Sequence, residues 1–249
     1  MELIERLRTL IRRRHIAKQL GLKFQRQSTF RLPEKTVFRD GSCLHLPRSQ
    51  SHVNLDVINV ILDDEYGLRE LKTAPRMIVD IGTNVGIFSW YAQKLYPNAE
   101  IVGFEPNPLA WKYAIRNVPS AHISNAAVGA AEGFISLHTT EDWRLSKVTQ
   151  SEYGNVKLMS FEKIICALPA EVDLLKMDCE GAEWEILQNT KAFCRVHRIH
   201  MEYHLVNQKT MADLETAVHG IGFKIEKLVP NNGFGIMWLA RSELSEQSA

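Results

Sequence analysis

The sequence predicts an α/β fold built on a doubly wound, mostly parallel sheet of seven strands with an antiparallel C-terminal hairpin strand. From residue 76 onward, short runs rich in branched apolar residues alternate with segments of helical periodicity. The runs are apolar throughout, which is typical of parallel strands buried on both faces. Pro-Asn-Asn-Gly at 230–233 separates the last two runs and indicates a hairpin turn, with the reversed strand expected at one edge.

The predicted strands and helices follow one another as repeated βα units, which place helices on both faces of the sheet. Strands are predicted at 77–81, 101–105, 123–128, 172–178, 198–203, 223–228 and 234–240. Helices are predicted at 88–95, 109–117, 182–187 and 209–219.

The first 26 residues are strongly basic. They hold eight Lys or Arg and two Glu, a local charge of +6. Because the whole chain has a net charge of +1, the remaining residues together carry −5. Leu3, Leu7, Leu10 and Ile11 recur at helical spacing, which predicts an amphipathic helix. Either this helix docks on the domain with its arginines in water, or it contacts an anionic membrane or an acidic partner.

Two further elements are predicted before the first core strand. Arg-Asp-Gly-Ser at 39–42 indicates a hairpin turn. Residues 54–71 have the periodicity of a single helix, with Gly67 close to its end.

Bulk properties limit the compartment and the partners. A net charge of +1 gives no electrostatic reason to expect nucleic acid as a partner. No apolar run approaches the roughly 20 residues that span a bilayer, and the four cysteines lack disulfide or zinc spacing. We therefore expect a cytoplasmic protein, with peripheral membrane contact through residues 1–26 as an open alternative.

A glycine-rich turn follows the first core strand and precedes a helix. Its sequence, from Asp80 to Gly86, reads D-x-G-x-N-x-G rather than the GxGxxG of dinucleotide sites. Asp80 opposes a pyrophosphate at the helix N-terminus but suits a ligand with a positive end, such as the α-ammonium of a methionyl group. Asn84 stands where a left-handed backbone is expected, and Asn tolerates that conformation best after Gly.

Glu105 ends the second core strand, 23 positions after Gly82. An acidic residue at this place can accept both hydroxyls of a ribose. Pro106, Asn107 and Pro108 form a tight turn that holds the carboxylate over the crevice. The alternative is that the acid caps the next helix, a role that Asn107 could fill instead.

Four blocks of the sequence resemble the FkbM-type methyltransferases. They are Val79–Gly86, Gly103–Pro108, Asn125–Gly129 and Asp173–Glu183, and they cover the chain in order from about residue 77 to 204. Thr83 stands where Ala is usual in that family, and Cys179 where Val or Ile is usual. Residues 1–70 and 130–156 match nothing specific in the family, and we expect them to shape the acceptor site.

The resemblance implies a Rossmann-like class I methyltransferase fold, S-adenosylmethionine (SAM) as methyl donor, and methylation of a hydroxyl on a sugar, glycan or secondary metabolite. On this basis residues 1–72 form an N-terminal extension and residues 73–249 the SAM-binding domain. The resemblance places the glycine turn around the methionyl part, Glu105 on the ribose, and Asn125 with Ala126 beside the adenine. The expected cofactor-binding residues are Asp80, Gly82, Thr83, Asn84, Gly86, Glu105, Pro106, Asn107, Asn125, Ala126 and Asp178.

Candidate catalytic residues follow strands four and five, where the crevice of such a sheet opens. His204 has an ordinary pKa of about 6.5, which suits a general base near neutral pH. Glu180 could bind the acceptor or orient His204, and Asp178 lies beside them. The alternatives are a structural histidine and an acid that stabilises the next helix. Asp178, Glu202 and His204 could instead hold Mg²⁺ or Mn²⁺, although a metal is not favoured.

Two alternative functions remain at this point. An NAD-linked oxidoreductase would bind NADH more tightly than S-adenosylhomocysteine (SAH), and Asp80 argues against it. A binding protein with this fold would lack catalysis. Trp143 could stack on a sugar ring of the acceptor or anchor its own loop.

Overall fold

The structure, a computed structural model, describes residues 2–138, 147–150, 154–189 and 191–242, so Trp143 lies outside the described residues. Its helices are α1 (Glu2–Leu20), α2 (Val53–Asp56), α3 (Ile87–Leu95), α4 (Pro108–Asn117), α5 (Phe161–Ala167), α6 (Glu183–Leu187) and α7 (Met211–Gly220). Its strands are β1 (Lys35–Val37), β2 (Cys43–His45), β3 (Met77–Ile81), β4 (Glu100–Phe104), β5 (His122–Ser124), β6 (Ala126–Gly129), β7 (Gly133–His138), β8 (Lys147–Gln150), β9 (Val156–Ser160), β10 (Leu174–Met177), β11 (Arg198–His204), β12 (Phe223–Pro230) and β13 (Phe234–Arg241).

The main sheet has seven strands in the order β12-β13-β11-β10-β3-β4-β5. Strands β11, β10, β3, β4 and β5 are parallel, and β13 pairs antiparallel with both β11 and β12. This confirms the predicted mostly parallel sheet with an antiparallel C-terminal hairpin strand. The reversed strand is not the edge strand, however: β13 lies between β11 and β12, because the hairpin folds its second strand inward onto β11.

Each face of the sheet carries its own hydrophobic core, as alternation along the strands requires. Ile78 and Leu174 belong to the core shared with the N-terminal residues, α3 and α4. Val79 and Leu175 belong to the opposite core, which α5 and α7 cover. The chain is therefore doubly wound, and side chains from residues 17–68 pack directly against the sheet.

The predicted third strand, 123–128, is wrong as a single element. It is two strands: β5 in the main sheet, and β6 in a second sheet of order β6-β9-β7-β8. The break falls at Asn125, whose side-chain amide donates to the carbonyls of Glu105 and Pro106 at 2.8 and 3.0 Å. These two hydrogen bonds turn the chain out of the main sheet.

In the N-terminal extension the structure confirms two predictions, the helix α1 and the turn at 39–42. The turn joins β1 to β2, and the Phe38 amide donates to the Ser42 carbonyl across it at 2.8 Å. The single helix predicted over 54–71 is wrong. Helix α2 continues into a π-helical segment, Val57–Asp63, and Asp64 ends it with a left-handed backbone. A separate 3₁₀ turn, Leu68–Glu70, follows. Within the described ranges, no helix combines the length and apolar character needed to cross a bilayer.

Four polar or aromatic side chains form a row across the sheet face that the extension covers. Lys176 on β10 lies in register with Asp80 on β3 and with His200 on β11, and His200 lies in register with Trp238 on β13. Three of the four are at most 3% exposed, and Trp238 is 6% exposed. Such groups are stable in a core only when each has a partner.

The segment that follows the π-helical turn packs on this row. The Trp238 indole donates to the Glu65 carbonyl at 2.8 Å, and His200 Nδ1 donates to the Tyr66 carbonyl. Burial lowers the pKa of His200 to about 4, so its ring is neutral and structural. A Cβ on Gly67 would lie 2.5 Å from the Trp238 ring, so the chain can approach this closely only with glycine there.

We predict that Gly67→Ala destabilises the fold far more than Gly41→Ala. Both glycines have positive φ, 61° and 83°, so each substitution incurs the left-handed penalty of about 1–2 kcal/mol. Only Gly67→Ala also forces a methyl group into the Trp238 ring, because nothing lies within 4 Å of the Cβ position at Gly41. Overpacking adds about 1–3 kcal/mol. Urea unfolding of both variants tests this, and equal losses in the free energy of unfolding would contradict it.

Candidate active site

The glycine turn between β3 and α3 adopts the backbone that its sequence predicts. Gly82 and Gly86 have φ of 79° and 87°, and Asn84 has φ of 50°. The turn also lies against the end of β10, since a Cβ on Gly82 would fall 1.7 Å from the Asp178 carbonyl oxygen. Gly82 is therefore required by contact as well as by conformation.

Asp80 is fully buried at the end of β3. Its Oδ2 accepts a hydrogen bond from the Ser89 hydroxyl at 2.6 Å, and its Oδ1 lies 3.3 Å from the Nζ of Lys176. A buried carboxylate without such partners would be costly. Ser89 and Lys176 therefore give the buried Asp80 side chain a polar partner at each oxygen, close to the carboxyl end of β3.

Lys176 is the main residue of the site that the sequence analysis missed. Its Nζ donates to the Gly82 carbonyl at 2.6 Å and lies 3.7 Å from the Asp178 carboxylate. Burial opposes its charge, but the attraction of Asp80 and Asp178 outweighs burial and raises the pKa of Lys176. Lys176 therefore ties the turn, β3 and β10 together. A lysine inside an apolar strand was the available signal.

Glu105 is buried at the end of β4, on the far side of the glycine turn. Its Oε2 accepts from the Asn84 amide at 2.7 Å and its Oε1 from the Asn107 amide at 2.8 Å. Burial raises the pKa of Glu105 to about 7, although the two amides oppose that shift. The carboxylate is thus fixed in direction by two loops, and each oxygen retains a lone pair.

Several residues around Glu105 have structural roles. Asn107 is the N-cap of α4, with its Oδ1 accepting from the Leu109 amide at 2.9 Å, so the acid does not cap the helix. Thr83 is buried and its hydroxyl donates to the Asp80 carbonyl at 3.1 Å. The Asn125 amide braces the Glu105–Pro106 loop as described above, and Ala126 is buried beside it.

The Asn107 side-chain nitrogen is buried, and among the described residues it has no hydrogen-bond partner. An unpaired buried donor costs about 1–3 kcal/mol unless another group satisfies it. The backbone amide of the same residue donates to the Glu105 carboxylate. This orphaned donor fits a polar ligand bound against the β4–α4 loop.

At the end of β10, Asp178 meets a residue of the N-terminal extension. The Tyr66 hydroxyl donates to Asp178 Oδ2 at 3.2 Å. Burial, with repulsion from Glu202 and Asp178, raises the pKa of Glu65 to about 9. The extension therefore adds Glu65 and Tyr66 to this end of the sheet, and no motif in the sequence signalled either of them.

His204 ends β11 among carboxylates. Its Nδ1 lies 3.5 Å from Glu183, and its Nε2 lies 3.5 Å from Glu180 and 3.7 Å from Glu202. Its ring is stacked with Phe234, the centroids 6.3 Å apart. The sequence analysis placed Glu180, Glu202 and His204 near one another, and the structure brings them together.

These carboxylates control the protonation of His204. The contact of His204 Nδ1 with the Glu183 carboxylate is the largest influence and outweighs burial, and with Glu180 and Glu202 it raises the pKa of His204 to about 9. The ordinary value of 6.5 expected from sequence therefore does not apply. Burial and repulsion from Asp178 in turn raise the pKa of Glu202 to about 8.

Glu183 orders the turn that leads into α6. It is 1% exposed, and its two oxygens accept from the Cys179 and Gly181 amides at 2.9 and 2.8 Å. This contact and a φ of 54° at Glu180 set the path of the backbone toward His204. Among the described residues, no group of three His, Cys, Asp or Glu side chains has the arrangement of a metal site.

Comparison with known proteins gives related methyltransferases. Methyltransferase sdnD of Sordaria araneosa is 28% identical over 218 aligned residues, covering 71% of this chain and 80% of that protein. Methyltransferase 1 of Beauveria bassiana (strain ARSEF 2860) is 26% identical over 141 residues, covering 45% of this chain and 57% of that protein.

Solved structures include precorrin-6y C5,15-methyltransferase from Geobacter metallireducens GS-15, with a TM-score of 0.47 and 13% identity. The match covers 73% of this chain and 87% of that one. The family model of the methyltransferase FkbM domain matches residues 80–225, which include the glycine turn, the end of β4 and the β10–α6 segment. That match spans more than half of the chain, and the protein therefore belongs to the FkbM methyltransferase family.

Proposed function

We propose that the protein is a SAM-dependent O-methyltransferase that acts on a hydroxyl of a sugar, glycan or secondary metabolite. The observation that carries the donor assignment is the pair of buried carboxylates, Asp80 and Glu105, that flank the glycine turn. Asp80 suits the ammonium group of the methionyl part, and Glu105 suits the ribose hydroxyls. When bound, SAM supplies a methyl group on a cationic sulfur.

The residues proposed to hold the cofactor form three groups. The glycine turn is proposed to contact the methionyl part of SAM, and the β4–α4 loop is proposed to contact the ribose. The start of β6 is proposed to contact the adenine. The orphaned nitrogen of Asn107 supports the ribose side, because a hydroxyl oxygen can satisfy it. The proposed set is Asp80, Gly82, Thr83, Asn84, Gly86, Glu105, Pro106, Asn107, Asn125, Ala126 and Asp178, to which Lys176 is added as the residue that fixes the turn.

On the acceptor side, we propose that His204 takes the proton from the acceptor hydroxyl. Methyl transfer is a direct displacement in which the enzyme holds the acceptor oxygen in line and removes its proton as the bond forms. With a pKa of about 9, His204 is mostly protonated at neutral pH and becomes a base as the pH rises. Glu180, 59% exposed, is proposed to orient the ring or contact the acceptor.

A polyhydroxylated acceptor is supported by the groups at the ends of β10 and β11. Asp178, Glu202 and Glu65 offer carboxyl oxygens that accept from hydroxyls, and carboxyls held protonated by raised pKa values also donate. A phosphorylated or carboxylated acceptor would meet repulsion from Asp178. The proposed acceptor is therefore neutral and rich in hydroxyl groups where it enters this crevice.

We predict that SAH binds the protein more tightly than NADH, and that Asp80→Asn weakens SAH binding at least about tenfold, a loss of about 1.4 kcal/mol. Asparagine keeps the shape but removes the charge. Calorimetric titration measures both dissociation constants. His204→Ala is the control and keeps the parent affinity, since His204 lies on the acceptor side. If Asp80→Asn does not fold, Glu105→Gln replaces it. Full SAH affinity in the folded variant would contradict the donor assignment.

We also predict that the His204 ring titrates near pH 9, and that Glu180→Gln lowers this pKa. The folded-state pKa is raised, so the proton held by the carboxylates is lost as the pH rises through the folded value. Removing one carboxylate weakens that hold. NMR titration of the imidazole protons measures both values. Glu171→Gln is the matched control, because it alters the partner of His197 and should leave the pKa of His204 unchanged. A His204 pKa near 6.5 in the parent protein would contradict the prediction.

A further inference from the structure

The outer side of α1 carries an apolar stripe. Ile4, Leu7 and Ile11 are 60%, 55% and 58% exposed, although each is a large aliphatic residue. Their spacing of three and four residues places them on one side of the helix. Scattered exposed aliphatics need no explanation, but three in register on a helix do.

The stripe is not the face by which α1 docks on the protein. Ala17 is fully buried, and Arg13 is held by Asp63 in the π-helical segment that follows α2. Arg12 pairs with the same carboxylate, Nη2 to Oδ1 at 3.1 Å. Successive residues of a helix are about 100° apart, so the face that fixes α1 in place is a different one from the side that carries Ile4, Leu7 and Ile11. The apolar stripe therefore points away from the core.

Cations predominate beside the stripe, and the acidic residues of α1, Glu2 and Glu5, lie only in its first turns. Arg8, Arg14 and Lys18 are exposed and stand three, four or seven positions from stripe residues, so they flank it. Between Arg8 and Lys18 the sequence has no acidic residue. A docked helix that simply faced water would carry few large aliphatic residues on its outer side.

We propose that the outer side of α1 binds an anionic lipid surface, with Ile4, Leu7 and Ile11 inserted at the interface and the flanking cations against the headgroups. An apolar stripe bordered by Lys and Arg is the composition of helices that lie in the plane of a membrane interface. Each cation near an anionic surface adds roughly fivefold to partitioning. A second copy is disfavoured as the occupant, because a symmetric contact through α1 would oppose like charges.

The test is co-sedimentation of the full chain with vesicles of equal parts phosphatidylcholine and phosphatidylserine. We expect binding that weakens as salt rises and that is absent with phosphatidylcholine alone. Leu7→Gln with Ile11→Gln should lower the partition coefficient at least about tenfold, and Arg8→Gln with Lys18→Gln should lower it to a similar extent.

The matched control replaces two exposed aliphatics elsewhere, Ile115→Gln with Val229→Gln, and should bind as the parent does. Circular dichroism and unchanged SAH affinity establish that each variant is folded. A loss of vesicle binding can therefore be told apart from a loss of cofactor binding. No sedimentation of the parent at low salt would overturn the proposal. Equal sedimentation of the parent and the stripe variant would also overturn it, as would loss of binding in the control.

Discussion

The buried ion pair between Lys176 and Asp80 is the interaction on which the rest of the site depends. In a parallel sheet the two residues lie in register on adjacent strands, so the pair joins β10 to β3 where the crevice opens. The same ammonium group holds the Gly82 carbonyl, which keeps the turn against β10. Removing one member of such a pair leaves an uncompensated buried charge and costs about 3–5 kcal/mol.

The N-terminal extension contacts the residues of this ion pair directly. Tyr66 hydrogen-bonds Asp178, which neighbours Lys176, and its ring lies against the Lys176 ammonium at 5.5 Å from the centroid. The close approach of Gly67 to Trp238 fixes the depth of that segment. Residues of the extension therefore set the charge environment at the end of β10, while α1 on the outside of the same extension presents the separate surface that we propose binds lipid.

Sequence periodicity was sufficient for the main sheet because its parallel strands are buried on both faces and read as apolar runs. It failed at Asn125, where two side-chain hydrogen bonds decide the path of the chain, and it missed β7, although exposed Phe134 precedes buried Ile135 there. The residues proposed for the donor site could be named from the sequence because most of them sit in one turn and at one strand end, and their roles stay a prediction. Lys176 offered one signal, a lysine inside an apolar strand, whereas Glu65 and Tyr66 offered none, since their roles arise from contacts between distant segments. The sequence supplied only the ordinary pKa of a histidine for His204, because the three carboxylates that raise it converge on the ring only in the fold.

The most direct measurement of the central claim is calorimetric titration of SAH into Lys176→Met, with the double variant Lys176→Met, Asp80→Asn beside it. Methionine keeps the length of the side chain but removes its charge. If Lys176 holds the turn and Asp80 in their binding arrangement, the single variant remains folded by circular dichroism and binds SAH at least about tenfold more weakly. The double variant regains stability, because no buried charge is left unpaired, but it does not regain affinity. Parent-like SAH affinity in Lys176→Met would contradict the account.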